Sequence, residues 1–186
     1  MIQKFHQVPP LSLYIHLPWC LKKCPYCDFN SHEITTSGFD EKGYVSALIS
    51  DLKFEISRIE DRKIVSIFFG GGTPSLFSPE SIDQILNSIK TQLNFDLNVE
   101  ITLEANPGAV EAAKFQEYRT IGINRLSLGV QSFNNQSLNL LGRIHDADEA
   151  KNAIELSKEA GFENFNLDLM FGLPNQEIDE IGRAHV

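Results

Sequence analysis

LSLYIHLPWCLKKCPYCDF (residues 11–29) joins two features that the rest of the chain repeats: a short apolar run suited to a strand, and a chemically loaded loop directly after it. Residues 11–17 are rich in leucine, isoleucine and tyrosine, and Pro18 closes the run, since a residue without a backbone N–H cannot continue a ladder. The arrangement recurs at IVSIFFG (64–70), NVEITLEA (98–105), RLSLGVQ (125–131) and NFNLDLMFG (164–172). Amphipathic segments lie between them, near 40–60, 79–92, 110–121 and 146–161. The second opens with SPES, a serine cap followed by a first-position proline, and the fourth ends at Gly161, a C-cap residue. Strands and helices alternating on this spacing predict right-handed βαβ crossovers and an α/β fold with one parallel sheet. Periodicity alone leaves open whether that sheet stays open or curls into a barrel. The loops CLKKCPYC, GGGTP, EANPG, GVQSF and DLMFGLPNQ all fall at the C-terminal ends of the predicted strands, the edge where ligands gather in parallel α/β folds.

With 186 residues, 42% of them apolar, the chain is long enough for one domain that buries roughly 70% of its unfolded surface. No stretch approaches the roughly 20 apolar residues of a membrane span, so no integral membrane segment is expected. Sixteen basic against twenty-five acidic residues give a net charge of -9, which offers no general attraction to nucleic acid or anionic lipid. The expectation is a cytoplasmic protein without a nucleic-acid partner.

Cys20, Cys24 and Cys27 are the only cysteines in the chain. Two would suit a disulfide and four a closed zinc site. Three thiolates spaced x3 then x2 on a loop leaving a strand can wrap an iron-sulfur cluster and leave one iron open to a further ligand. Two other readings stand beside this. His16 or His32 could complete a zinc site, and the thiols could be structural, although Lys22, Lys23 and Asp28 make the segment polar.

FFGGGTPS ends the second predicted strand with a glycine run that lets backbone approach a ligand and leaves amide groups free to bond it. Without GK[ST] it is no Walker motif. Glu104 in TLEANPG, Gln131 in SLGVQSF, Arg143 in LLGRIH and Asp168 in NLDLMFGLPNQ are polar groups at or near strand ends. Alternation puts Asp168 on the side of Asn166 and Met170, opposite Leu167 and Leu169.

CxxxCxxC with an aromatic before its last cysteine resembles the radical S-adenosylmethionine (SAM) superfamily. YIHLPWCLKKCPYCDFNSH, FFGGGTPSLF, ITLEANPG, RLSLGVQSF and DLMFGLPNQ together resemble its branch of oxygen-independent coproporphyrinogen III oxidases and heme chaperones, over residues 11–178. The resemblance implies a parallel partial βα barrel, here holding about five strands. It implies a 4Fe-4S cluster on Cys20, Cys24 and Cys27 whose open iron binds SAM, and a reduced cluster that cleaves SAM to a 5'-deoxyadenosyl radical. By motif position it makes Tyr14, Gly71, Gly72, Thr73, Glu104, Gln131, Arg143 and Asp168 contacts to SAM, with Tyr26 beside the cluster.

Within that branch the oxidase pattern continues CxxxCxxCxC, whereas this chain has Phe29 two positions after Cys27. That and the short N-terminus point to the chaperone type, which binds heme, passes it to apoproteins and requires an electron donor. The alternatives kept open are the oxidase, which decarboxylates porphyrinogen propionates; a radical SAM enzyme acting on RNA, against which the acidic balance speaks; and a zinc-binding module without catalysis. His6, His16, His32 and His145 are available, but a lone histidine is more often a satisfied structural group than a heme ligand. The final IGRAHV matches translated read-through of a sequencing adapter. The expectation is therefore a radical SAM core over residues 1–180, a read-through artefact at 181–186, and a fragment of a longer protein.

Overall fold

The computed structural model describes residues 9–59 and 62–181. All five expected strands form, and they make one parallel sheet. Strand β1 is Leu11–Leu17, and a two-residue strand, β2, follows at Trp19–Cys20 and pairs with β3, His32–Glu33. Helix α1 is Glu41–Glu55, extended by a 3-10 turn over Ile56–Arg58, and leads to β4, Ile64–Gly71. A second 3-10 turn, Pro74–Leu76, and α2, Pro79–Gln92, lead to β5, Phe95–Ala105. Then come α3, Ala109–Ala112, and α4, Phe115–Ile121, before β6, Arg125–Gln131. Helices α5, Asn135–Leu140, and α6, Ala147–Glu159, precede β7, Phe165–Leu169, and α7 is Ile178–Ile181. The main sheet runs β1-β4-β5-β6-β7, with every pairing parallel.

Strand order that follows chain order, with no reversal, puts every crossover helix on one face. That face carries Ile15, Leu17, Ile67, Phe69, Ile101, Leu103, Leu126, Leu128 and Val130, which pack in one cluster with Val45, Ile82, Leu86, Phe115, Tyr118 and Ala153 from the helices. Phe69, Leu103 and Leu126 are fully buried, each stabilising the fold by roughly 1.5–3 kcal/mol. The alternate residues, among them Ser12, Ser66, Glu104, Ser127, Gln131 and Asp168, leave the opposite face polar. Helices on one side and a polar inner face on the other belong to a partial βα barrel, not to a sheet covered on both sides.

Local chemistry explains the helix ends. Ser78 accepts from the Ser81 N–H and Pro79 occupies the first turn of α2, while Asp146 and Glu149 form a capping box on α6. Gly122 stops α4 at φ 110, a conformation that costs a glycine little.

Three expectations need adjusting, the strand expected over 164–172 among them, since β7 ends at Leu169, and one helix was not expected. The segment 110–121 is two helices, because Lys114 bonds back to Glu111 O by a tight i to i−3 turn at 3.0 Å. Strand β5 starts earlier than expected, since Phe95 pairs with Ile64 ahead of a bulge. Helix α5 had no amphipathic signal, being only 6 residues long; its cue is the Asn134 cap, which accepts from Gln136 N and Ser137 N. Of the segment 181–186, only Ile181 lies within the described residues.

Candidate metal and cofactor site

The cysteine loop is a closed excursion from the end of β1. Trp19 and Cys20 pair with His32 and Glu33, so the chain leaves and re-enters at one point. Lys23 closes the loop from within: its Nζ donates to Phe29 O at 3.1 Å and Ser31 O at 3.2 Å, and its N–H donates to Glu33 Oε1 at 2.8 Å. The x2 spacing is a turn, with Cys27 N–H bonded to Cys24 O at 3.0 Å. Trp19 anchors the base, stacked on Phe39 with ring centroids 4.6 Å apart and edge-on to Tyr44.

All three thiols are free, Cys20 buried and the other two half-buried. Burial pushes the Cys20 thiol up, and hydrogen bonding with Thr73 and Ser31 works against this. Among the described residues no three His, Cys, Asp or Glu side chains are gathered to hold a single metal ion. A cluster makes a different demand, because each thiolate binds its own iron and the sulfurs stand further apart than around one tetrahedral ion. Three unpaired thiols on one loop, facing a polar cleft, fit that donor set.

His16 is already engaged. Its Nε2 lies 2.8 Å from Asn30 O, which can only accept, so Nε2 carries the proton and Nδ1 accepts from Tyr14 Oη at 3.0 Å. Neither nitrogen is left for a zinc ion.

The glycine loop is tied down more fully than its composition suggests. Gly72 N–H donates to Leu17 O and Thr73 N–H to Trp19 O, both at 2.8 Å, and Gly71 N–H donates to Glu104 Oε2 at 3.1 Å. These amides are therefore not free for a ligand, contrary to the expectation from the glycine run. The glycines serve close approach instead. A Cβ on Gly72 would stand 2.6 Å from Pro18 O and Trp19 O, and Gly71 has φ +124 with His16 against it.

Across the cleft, Arg143 links three elements. Its Nη1 donates to Cys24 Sγ at 3.4 Å, and its Nη2 donates to Asn106 Oδ1 at 2.5 Å and Gly129 O at 2.8 Å. Gly142, at φ +70, brings this loop so close that a Cβ there would lie 2.9 Å from Pro25 Cδ. Asn106 in turn donates to Thr73 Oγ1 at 3.1 Å. Tyr26 lies beside Cys24 and Arg143; desolvation pushes its phenol up to about 12 while Arg143 pulls it down, so it stays protonated.

On the polar sheet face Glu104, Ser127 and Asn166 stand in register across β5, β6 and β7. Asp168 accepts from Ser127 Oγ at 3.1 Å and from Asn166 Nδ2 at 2.7 Å. Burial pushes the Glu104 carboxyl up, the Gly71 N–H pulls it down, and the Asp168 charge raises it again. Gln131 ends β6 at φ 66, a strained conformation for a residue with a Cβ and one that clusters at functional sites.

One cleft is thus lined by Cys20, Cys24, Cys27, Tyr26, Gly71, Gly72, Thr73, Glu104, Gln131, Arg143 and Asp168. Tyr14 is the one expected residue outside its lining. It flanks Glu104 across Gly70, whose Cβ position is 3.0 Å from the Tyr14 ring and 3.1 Å from Glu104 Oε2, and is largely exposed. Asn106, Ser127 and Gly129 also line the cleft and were not singled out from sequence. Alternation could have found the last two, since residues 127, 129 and 131 share a face.

Comparison with known proteins agrees with this geometry. The family described as the radical SAM superfamily matches residues 14–185. The chain is similar to the heme chaperone HemW of Haemophilus influenzae, 57% identical over 94% of this chain and 46% of that protein. It is also similar to that of Escherichia coli, at 48% identity with the same coverage. Among solved structures it resembles coproporphyrinogen III oxidase (HemN) from Escherichia coli, a radical SAM enzyme, with TM-score 0.83 and 30% identity over 94% of this chain and 40% of that one. The chain spans about half the length of the curated relatives it matches. With the match covering nearly all of a partial barrel whose mouth holds three free thiols, the chain belongs to the radical SAM superfamily.

Proposed function

We propose that this chain is the cluster- and SAM-binding part of a heme chaperone, which binds heme and delivers it to apoproteins in the cytoplasm with the help of an electron donor. The observation that carries the reading is the meeting of Cys20, Cys24 and Cys27 with Gly71, Glu104 and Arg143 in one cleft at the C-terminal edge of the sheet. Cys20, Cys24 and Cys27 would hold a 4Fe-4S cluster. When bound, that group supplies one-electron reduction of the SAM sulfonium.

The remaining work belongs to the chain. Glu104 is fixed by the Gly71 N–H with its other oxygen left for a ribose hydroxyl, and Asp168 and Gln131 extend the polar wall along it. Arg143 presents a cation where a carboxylate can be bound, each charged hydrogen bond contributing about 1.5–3 kcal/mol. Gly71, Gly72 and Thr73 form the rim that a ligand's amino group approaches. Tyr14 stands beside Glu104 and Tyr26 beside Cys24 and Arg143.

The likeness to the oxidase supports a second reading, radical decarboxylation of porphyrinogen propionates. Phe29 favours the chaperone: it is 61% exposed and lines the cleft where the oxidase pattern has a further cysteine. The test is anaerobic incubation of the reconstituted protein with SAM and a strong reductant. Stable heme binding without conversion of coproporphyrinogen III is the expected result; repeated turnover with release of carbon dioxide would establish the oxidase instead.

A further inference from the structure

The 3-10 turn Pro74–Leu76 follows Thr73 directly and ends with three carbonyls, those of Ser75, Leu76 and Phe77, that the turn's own N–H groups do not meet. Lys114 meets all three. Its Nζ lies 3.0 Å from Ser75 O, 3.2 Å from Leu76 O and 3.4 Å from Phe77 O, so the three protons of one ammonium face three acceptors. The fully buried Tyr118 hydroxyl, one turn further along α4, shares its proton between Phe77 O at 2.7 Å and Ser75 O at 3.0 Å. Beyond the turn, Glu41 accepts from Ser78 N at 2.8 Å and Ser78 Oγ at 2.7 Å.

We propose that Lys114 is a positioning residue for the cofactor loop, its ammonium fixing the turn after Thr73 from behind and so holding Gly71, Gly72 and Thr73 at the height a bound SAM requires. Lys114 does not line the cleft. Its effect passes through Thr73, whose Oγ1 accepts from Asn106, and through Asn106 to the Arg143 guanidinium. Lys114 O accepts from Tyr118 N at 3.0 Å, so Lys114 and Tyr118 lie one above the other on α4 and reach the same turn. The inference rests on the reading that SAM binds at this loop.

The experiment compares wild type with Lys114→Met, Lys114→Arg and a core control, Ile89→Val on α2, all reconstituted anaerobically, for iron content, thermal stability and calorimetric SAM affinity. Lys114→Met is expected to keep its iron and cluster spectrum while its Kd for SAM rises roughly tenfold, because all three bonds to the turn are lost and the loop is no longer held for the ligand. Lys114→Arg should recover most of that loss. Ile89→Val should lower the melting temperature without moving the Kd. Should Lys114→Met not fold, Tyr118→Phe, which deletes only the hydroxyl, is expected to raise the Kd in the same direction by less. Wild-type affinity in the folded variant, or an equal loss in Ile89→Val, would overturn the positioning role. A wild type that holds its cluster and binds no SAM would instead overturn the functional reading, and this role with it.

Discussion

The Arg143 guanidinium donates to the Cys24 sulfur across 3.4 Å while its other terminal nitrogen holds Asn106 and Gly129. A residue 119 positions away in the chain is thereby joined to the cysteine loop, and the planar fork of arginine is what lets one side chain serve three acceptors.

Arg143→Lys should therefore behave as a radical change. A lysine keeps the charge but cannot span the three acceptors, so SAM affinity is expected to fall by about 1.5–3 kcal/mol with iron content unchanged. Arg143→Leu should in addition move the cluster's midpoint potential negative, because a hydrogen bond and a positive charge that favour the reduced state are both removed. Calorimetry and a potentiometric EPR titration check the two.

Gly72→Ala and Gly129→Ala should separate structural from binding glycines. The first puts a Cβ 2.6 Å from the Pro18 and Trp19 carbonyls, on the backbone that delivers Cys20, and is expected to cost about 1–3 kcal/mol or more of stability and to lose the cluster. The second meets the flexible end of the Gln131 side chain at 3.1 Å and only ordinary contact with the Arg143 tip at 3.6 Å. Its fold and iron should persist while SAM binding weakens. Melting curves and iron assays on both variants test the contrast.

Glu104→Gln should trade function for stability. Burial and Asp168 raise the carboxyl pKa, so the folded state holds a proton more readily than the unfolded chain. Stability then falls as pH rises from the ordinary carboxylate range through the raised value, and ionised Glu104 is a standing cost at neutral pH. The amide can still accept from Gly71 N–H and carries no charge. The variant is expected to melt no lower than wild type at pH 7 to 8, to lose that part of the pH dependence, and to bind SAM more weakly. Melting temperatures across acidic and neutral pH decide it.

Much of this was legible in the sequence, for identifiable reasons. The five strands announced themselves through apolar runs such as IVSIFFG, and the loops after them carried the cleft residues because parallel strands all end at one edge. What periodicity could not supply was partnership across the cleft. Nothing in GGGTP says that Leu17, Trp19 and Glu104 take its amides, since those bonds depend on the register of β1 against β4 and on β5. Nor could the motif position alone show that Tyr14 stands beside Glu104 but outside the cleft lining. The role of Asn106 was hidden in the same way, as its neighbours Thr73 and Arg143 are 33 and 37 residues distant.

Whether Cys20, Cys24 and Cys27 hold a four-iron cluster is decided most directly by counting iron and acid-labile sulfide in the anaerobically reconstituted protein and in its Cys24→Ala variant. The expected result is about four irons and four sulfides per chain in wild type, with a brown visible spectrum, and loss of the cluster or a three-iron remnant in the variant, because the chain has no other cysteine to take the place. Zinc without sulfide in wild type, or an unchanged four-iron spectrum in Cys24→Ala, would contradict it.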